Sequence, residues 1–390
     1  MLYFPKLWGI LDNITYVYTQ SELVHKRYQK SSDMRYLFPI FCCLLITTLS
    51  FSQVEQSAIS QARAIVEKTA TQNKFPGVAV AVAVKGELVW SEGFGYANQA
   101  EKEKVDPSKS LFRIGSISKP LTAAALIKLV EAEKIDLDAP IQDYVPEFPK
   151  KKYKVTLRQL AGHLAGIRHY RGREFLSTKK YETVREGLDI FKGDPLLFQP
   201  GEKYSYSSYG WNLISAAIES AADEAFLTYM QRAVFDPLNL THTFPDHADR
   251  ETPNRVSFYE ISNDKISVAP YVDNSYKWAG GGFISTAEDM IQFAHGHIYG
   301  NYLQAESLAL LTTSQVNNKG KKTNYGLGWR CGEDKKGRKW FGHSGGSVGG
   351  TSYLIIYPEE EIVVVTLVNL SSARLNNLPF RIAEQFLSRL

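Results

Sequence analysis

The chain has 390 residues, 44% of them hydrophobic and 22% charged, with a formal net charge of +4. That length and apolar content suit one large domain or two interleaved subdomains and exclude a disordered polymer. A charge so near balance also argues against nucleic acid or another polyanion as a partner.

Residues 34–52 begin at Met34 and contain the run "RYLFPIFCCLLITTLSFS", with Ser50 and Ser52 at the spacing of a signal-peptidase site. The apolar run is of signal-peptide rather than membrane-spanning length. It reads as a cleaved secretory signal, with residues 1–33 an upstream extension and 53–390 the folded domain. The expected location is exported, periplasmic or secreted. The alternative is a membrane anchor through residues 35–52, and a membrane is a partner only in that case. No lipobox precedes Cys42 or Cys43, so a lipoprotein is not expected. Those two cysteines fall inside the signal, so Cys331 is alone in the mature chain and no intramolecular disulfide is expected.

Helical periodicity over 54–73 ends at "FPG", residues 75–77. "GVAVAVAVKGELVWSEGFGYAN" then reads as a hairpin turning at Lys85-Gly86, whose first strand is apolar on both faces and therefore central. At the other end, "YGLGWRCG", "RKWFGHSGG", "TSYLIIYP" and "EIVVVTLVN" read as strands, followed by a helix over roughly 377–390. One hairpin is not stable alone. The fold class is therefore α/β of the α+β kind: an antiparallel sheet built from N- and C-terminal segments, terminal helices on one face, and a helix-rich middle (about 116–315) on the other.

Three stretches carry residue types that do chemistry. "LFRIGSISKPLTAAALIKLVEA" places Ser116 and Lys119 one helical turn apart, after a β-like segment and before an apolar helix that tolerates Pro120 in its first turn. Either they are a cap and a solvated charge, or a nucleophile and its base; S-x-x-K alone does not decide, since it recurs at Ser177 and Ser262. "FQPGEKYSYSSYGWNLISAAIE" follows, a Tyr/Ser loop entering an amphipathic helix at about Gly210, where Tyr204, Tyr206 and Tyr209 are alternative proton carriers. "FGHSGGSVGG" is the third, with His343, Ser344 and glycines that let a ligand approach a strand edge whose N–H groups can serve an oxyanion. "WAGGGFISTAEDM" contributes a glycine run at 280–282 and a helix cap, either Ser285 with Glu288 or Thr286 with Asp289.

The order "SISK", "YSS", "HSG" resembles the serine β-lactamase and penicillin-binding-protein superfamily, with its S-x-x-K, Y-x-N or S-x-N, and K/H-[ST]-G motifs. "WSEGFGYAN", "DLDAPIQDYVPEFP", "HLAGIRHY" and "PYVDNSYKWAGGGFIST" extend the resemblance over about 54–385, toward the mitochondrial serine β-lactamase-like branch and its bacterial relatives. The resemblance implies an acyl-enzyme serine hydrolase without a cofactor. In it Ser116 is the nucleophile, Lys119 its base, and Tyr206, favoured over its neighbours by the family's rhythm, shares proton transfer. His343 would manage charge and bind a substrate carboxylate, with Ser208, Ser344 and Gly345 at the substrate; the N–H groups of Ser116 and Gly346 would form the oxyanion hole. Ser208 replaces the usual asparagine and His343 the usual lysine, departures that favour a peptidase or esterase over an efficient β-lactamase. The expected partner is a small molecule or peptide bearing a carbonyl, its specificity set by loops around 165–200 and 245–280. Oligomeric state is not readable.

Other chemistries fit less well. His295 and His297 lie two apart and face different ways on a helix, and His163 and His169 lack ligand partners at a usual spacing, so no metal site is expected. "GFGYAN" and "GGSVGG" lack the strand-to-helix setting of a phosphate loop. Cys331 reads as a plain core or edge thiol. A catalytically inactive binding or scaffold protein on the same fold is the competing reading.

Overall fold

The computed structural model describes residues 56–300 and 302–389, so the expected extension (1–33) and signal (34–52) lie outside the described residues. One unit runs from Ala58 to the C-terminus. After helix α1 (residues 56–72), β1 (Gly77–Val84) and β2 (Glu87–Asn98) form the expected hairpin. Its turn residues Lys85 and Gly86 both have positive φ, 51° and 84°, the twist that tight hairpins prefer. The remaining strands are β3 (Glu103–Lys104), β4 (Phe112–Arg113), β5 (Phe244–Pro245), β6 (Tyr259–Ser262), β7 (Lys265–Val268), β8 (Phe283–Ser285), β9 (Arg330–Glu333), β10 (Lys339–Ser347), β11 (Gly350–Tyr357) and β12 (Ile362–Val368).

The main sheet has seven strands in the order β3-β2-β1-β12-β11-β10-β9, antiparallel throughout. First and last segments thus meet at its centre, where β1 pairs with β12 in the register Val78↔Val368 to Val84↔Ile362. Strand alternation divides β1 between two cores. Val78, Val80 and Val82 pack with Ala58, Ala62 and Val66 of α1 and with Ile382, Ala383 and Phe386 of the last helix, Leu378–Leu387. Ala79, Ala81 and Ala83 join the larger core of the helix-rich middle, in which α2 (Ser118–Glu131) and α3 (Tyr209–Ala222) sit. Both of these helices are buried on nearly every side, as an apolar helix inside a lobe must be.

Three details depart from or refine the sequence reading. "YGLGWRCG" is a strand only from Arg330; Gly328 has φ 86°, and Tyr325, Leu327 and Trp329 turn into the core instead. Ser116 lies in a 3₁₀ turn, Gly115–Ile117, immediately before α2 rather than within it. Of the two possible caps, Thr286 is the one used, its hydroxyl accepting from the Asp289 amide at 3.1 Å.

A buried ion pair locks the Ser116 turn to the sheet. Arg113 of β4 donates to Asp246 at 2.6 Å and to the Val348 carbonyl in the β10–β11 turn at 2.8 Å, while Asn274 donates to the same carboxylate at 2.7 Å. A fully desolvated pair needs such extra hydrogen bonds to offset the loss of water.

Candidate active site

The Ser116 turn is wedged between β10 and the Trp278–Gly281 helical turn. Gly115 makes the approach possible: it has φ 50°, and a Cβ there would stand 2.8 Å from the Gly346 nitrogen. β9 pairs with β10 from Lys339↔Glu333 as far as Gly342↔Arg330, so β10 is unpaired on that side from His343 onward. On the other side Ser347↔Gly350 closes a two-residue hairpin, and Gly346↔Thr351 is the next pair. Ladder alternation therefore directs the Gly346 N–H away from β11 and toward the open edge beside Ser116.

Lys119 is 0% exposed, which removes the reading of a solvated charge. Nor does Ser116 cap the helix: Ile117 is the N-cap and no side chain bonds there. Instead the Lys119 Nζ lies 3.0 Å from Ser116 Oγ, 3.1 Å from Ser208 Oγ and 2.5 Å from the Gly280 carbonyl. Burial, then the charges of Lys277 and Arg330, hold its pKa well below the ordinary lysine value. A neutral amine can donate two hydrogens to Ser208 and Gly280 and present its lone pair to Ser116.

A cleft of about 220 Å³ opens over this group, lined by Ser116, Tyr206, Ser208, Ser344 and Gly346 together with Gly280 and Gly281. Of Tyr204, Tyr206 and Tyr209, Tyr206 is the one that reaches it. Tyr204 instead packs its ring at 5.7 Å from His163, and Tyr209 is buried, stacked on Phe191 and donating to Glu174 at 2.9 Å. Burial raises the Tyr206 phenol above its ordinary value, with the Ser116 hydroxyl acting in the opposite sense. The loops expected to set specificity contribute His169, Tyr170, Phe175 and Lys277. A larger cavity of about 710 Å³, beside Lys128 and Tyr302, contains none of these groups.

Two expected site residues stand elsewhere. His343 is buried behind the cleft, its Nδ1 on the Ser344 carbonyl at 2.7 Å and its Nε2 on the Tyr325 hydroxyl at 2.9 Å. With both nitrogens engaged and its pKa driven down by burial and then by Lys119, it is a neutral packing partner without a free hand for a carboxylate. Gly345 faces away from the cleft: a Cβ there would lie 2.0 Å from the Ile114 carbonyl and 2.1 Å from Ser352 Oγ. Its smallness lets the segment before Ser116 lie on the sheet.

The cations that do line the cleft were not singled out from the sequence. Arg330 has no ion-pair partner among the described residues, and its Nε is buried without an acceptor. Lys277 is 2% exposed, has no acceptor among the described residues, and lies 4.2 Å from the Phe175 ring centroid. Burial, then Arg113, lowers its pKa to about 7, with Asp246 opposing. The only sequence signal for either is position: Arg330 interrupts an apolar and glycine run, and Lys277 abuts "WAGGG". Cys331, half-buried, has its thiol raised to about 11 by burial, as a plain thiol would.

The profile of the family described as Beta-lactamase matches residues 62–385. The chain is 32% identical to the human "Serine beta-lactamase-like protein LACTB, mitochondrial", over 84% of this chain and 80% of that protein. Among solved structures, the octameric penicillin-binding protein homologue from Pyrococcus abyssi superposes with a TM-score of 0.75 at 24% identity, over 85% of this chain and 77% of that one. The D-amino acid amidase from Ochrobactrum anthropi SV3 gives 0.74 at 21% identity, over 85% and 99%. These two likenesses bear on the fold.

Proposed function

Since the chain belongs to the Beta-lactamase family of serine hydrolases, we propose that it cleaves an amide or ester through an acyl-enzyme on Ser116. The observation that carries this is the Lys119 amine 3.0 Å from Ser116 Oγ, kept short of protons by its burial and then by Lys277 and Arg330. Ser116 Oγ adds to the substrate carbonyl carbon as its proton passes to Lys119. The N–H groups of Ser116 and Gly346 hold the oxyanion. As the intermediate collapses, the leaving nitrogen or oxygen departs with a proton delivered by Lys119 or Tyr206, and water then hydrolyses the ester of Ser116.

Substrate choice follows the charge of the walls. No carboxylate lines the cleft among the described residues, and Glu174 is taken by Arg168 at 2.7 Å and by Tyr209. A free ammonium beside the scissile bond, as in an amino acid amide, finds no counter-ion. A carboxylate finds Arg330 and Lys277, which take the role expected of His343. These walls suit an anionic acyl compound, and it is Ser208 in place of an amide that favours a peptidase or esterase over an efficient antibiotic-hydrolysing enzyme. Export by way of residues 34–52 belongs to the same proposal.

Intact-protein mass spectrometry after exposure to a fluorophosphonate tests it. One adduct is expected, absent in Ser116→Ala at unchanged melting temperature, and formed about 10² to 10⁴-fold more slowly in Lys119→Met. Labelling that survives Ser116→Ala would place the nucleophile elsewhere. A folded wild type that takes no label would favour the binding or scaffold reading.

A further inference from the structure

The loop Tyr204–Ser208 has an unusual load. It carries Tyr206 into the cleft and Ser208 Oγ to Lys119, and it starts α3, yet Ser208 is the N-cap of α3 without a capping bond because its hydroxyl is engaged by Lys119. Ser207 takes over part of the capping, its Oγ accepting from the Gly210 amide at 3.2 Å and donating to the Arg168 carbonyl at 2.6 Å.

Two consecutive amides of this loop end on imidazoles. Ser207 N–H donates to His163 Nδ1 and Ser208 N–H to His169 Nδ1, each at 3.1 Å. The same two rings flank Tyr206: His163 at 4.2 Å between centroids and tilted by 40°, His169 at 5.6 Å and perpendicular. The His163 carbonyl also accepts from the Ser205 amide at 2.9 Å. His163 is buried, and its Nε2 has no partner among the described residues, so its Nδ1 contact holds it in place rather than a bond on the far side. His169 stands at the cleft rim with part of its surface open to solvent, while the edge bearing Nδ1 is turned inward to the Ser208 amide.

An imidazole nitrogen accepts a hydrogen bond only while it carries no proton. We propose that His163 and His169 are paired positioning residues whose unprotonated Nδ1 atoms suspend the Tyr206–Ser208 loop over Lys119, His169 being the member that acid can reach. This rests on the roles assigned above to Tyr206 and Ser208. The charged and titratable groups facing His169 are Lys119 on α2, Lys277 before the Trp278–Gly281 turn, Glu174 on the Glu174–Leu176 turn, the phenols of Tyr170 and Tyr206, and His163 itself. Burial, then Lys119 and Lys277, lower its pKa to about 4 and Glu174 opposes them, so Lys277, which also lowers the Lys119 pKa, helps to keep this acceptor neutral.

The test compares wild type, His169→Ala and His169→Asn by hydrogen exchange of a peptide spanning residues 204–210 and by the rate of fluorophosphonate labelling, with melting temperature as the control for folding. Asparagine can set an amide oxygen near the place of Nδ1 but cannot take up a proton. The expected result is that alanine speeds Ser208 amide exchange and slows labelling by roughly tenfold each, as for loss of one buried-side hydrogen bond, and that asparagine restores both. As pH is lowered through the His169 titration, wild type should lose the protection, corrected for intrinsic exchange, while His169→Asn keeps it. Unchanged exchange in the alanine variant, or an asparagine variant as impaired as alanine, overturns the proposal. Absence of labelling in wild type would instead count against the hydrolase reading, and the exchange data would still decide this one.

Discussion

At Lys119 the proposed reaction asks a single amine to be both buried and basic, and the residues around it bear on how. Ser116, Lys119, Tyr206, Ser208, Ser344 and Gly346 were all legible in the sequence because each sits in a short motif, and these six line or floor one cleft. Arg330 and Lys277 were not legible, since a lone cation in a glycine-rich run has no periodicity to betray which way it points. His343 stands behind the cleft, and this was illegible for a related reason: nothing local reveals that Tyr325, from a segment expected to be strand, claims its Nε2. The charge of Arg330 also bears on pH. It lowers the Lys119 pKa, so its removal raises that pKa, and the base becomes protonated at a higher pH than before. In Arg330→Gln the acid limb of fluorophosphonate labelling should therefore move to higher pH. The probe is neutral, so carboxylate binding does not enter, and a limb that stays in place would count against the electrostatic role.

Strand β10 shows how an element can carry two adjacent glycines for different reasons. Gly345 is pressed against the Ile114 carbonyl and Ser352, whereas a Cβ on Gly346 would meet nothing within 4 Å. Gly345→Ala should then lower stability by about 1–3 kcal/mol, as overpacking does, and slow labelling by shifting the Gly115–Ile117 turn. Gly346→Ala should be milder in chemical denaturation. Equal losses would mean the sheet can retreat from Ile114. The sequence announced these glycines as a place of close approach, but the neighbour that approaches Gly345 is this chain's own backbone. In the same way the hydrophobic pattern of "YGLGWRCG" predicted strand, and Gly328 in a left-handed conformation diverted its first half into the core.

Taken whole, the molecule places one sheet between two cores, and the alternating valines and alanines of β1 made that readable from the start. What alternation could not give was the strand order. The interior also stores neutral histidines. His297 is 4% exposed, away from the cleft, with Nδ1 on the Phe293 carbonyl at 2.8 Å, and burial lowers its pKa from 6.5 to about 4. Because the folded pKa lies below the unfolded one, the unfolded chain binds the proton first. Stability is therefore full above about pH 6.5 and falls as pH drops toward about 4, by roughly 3 kcal/mol for this residue at about 1.4 kcal/mol per unit. His297→Phe should flatten that part of the stability profile relative to wild type in urea titrations at pH 7 and pH 5; parallel losses would show that His297 titrates normally. Finally, the pairing of β1 with β12 sets an order of events during synthesis. The strand made first has no partner on its inner edge until residue 368 has left the ribosome. The growing chain must carry that apolar strand open along one edge until β12 emerges, so the sheet closes only after the whole helix-rich middle has been made.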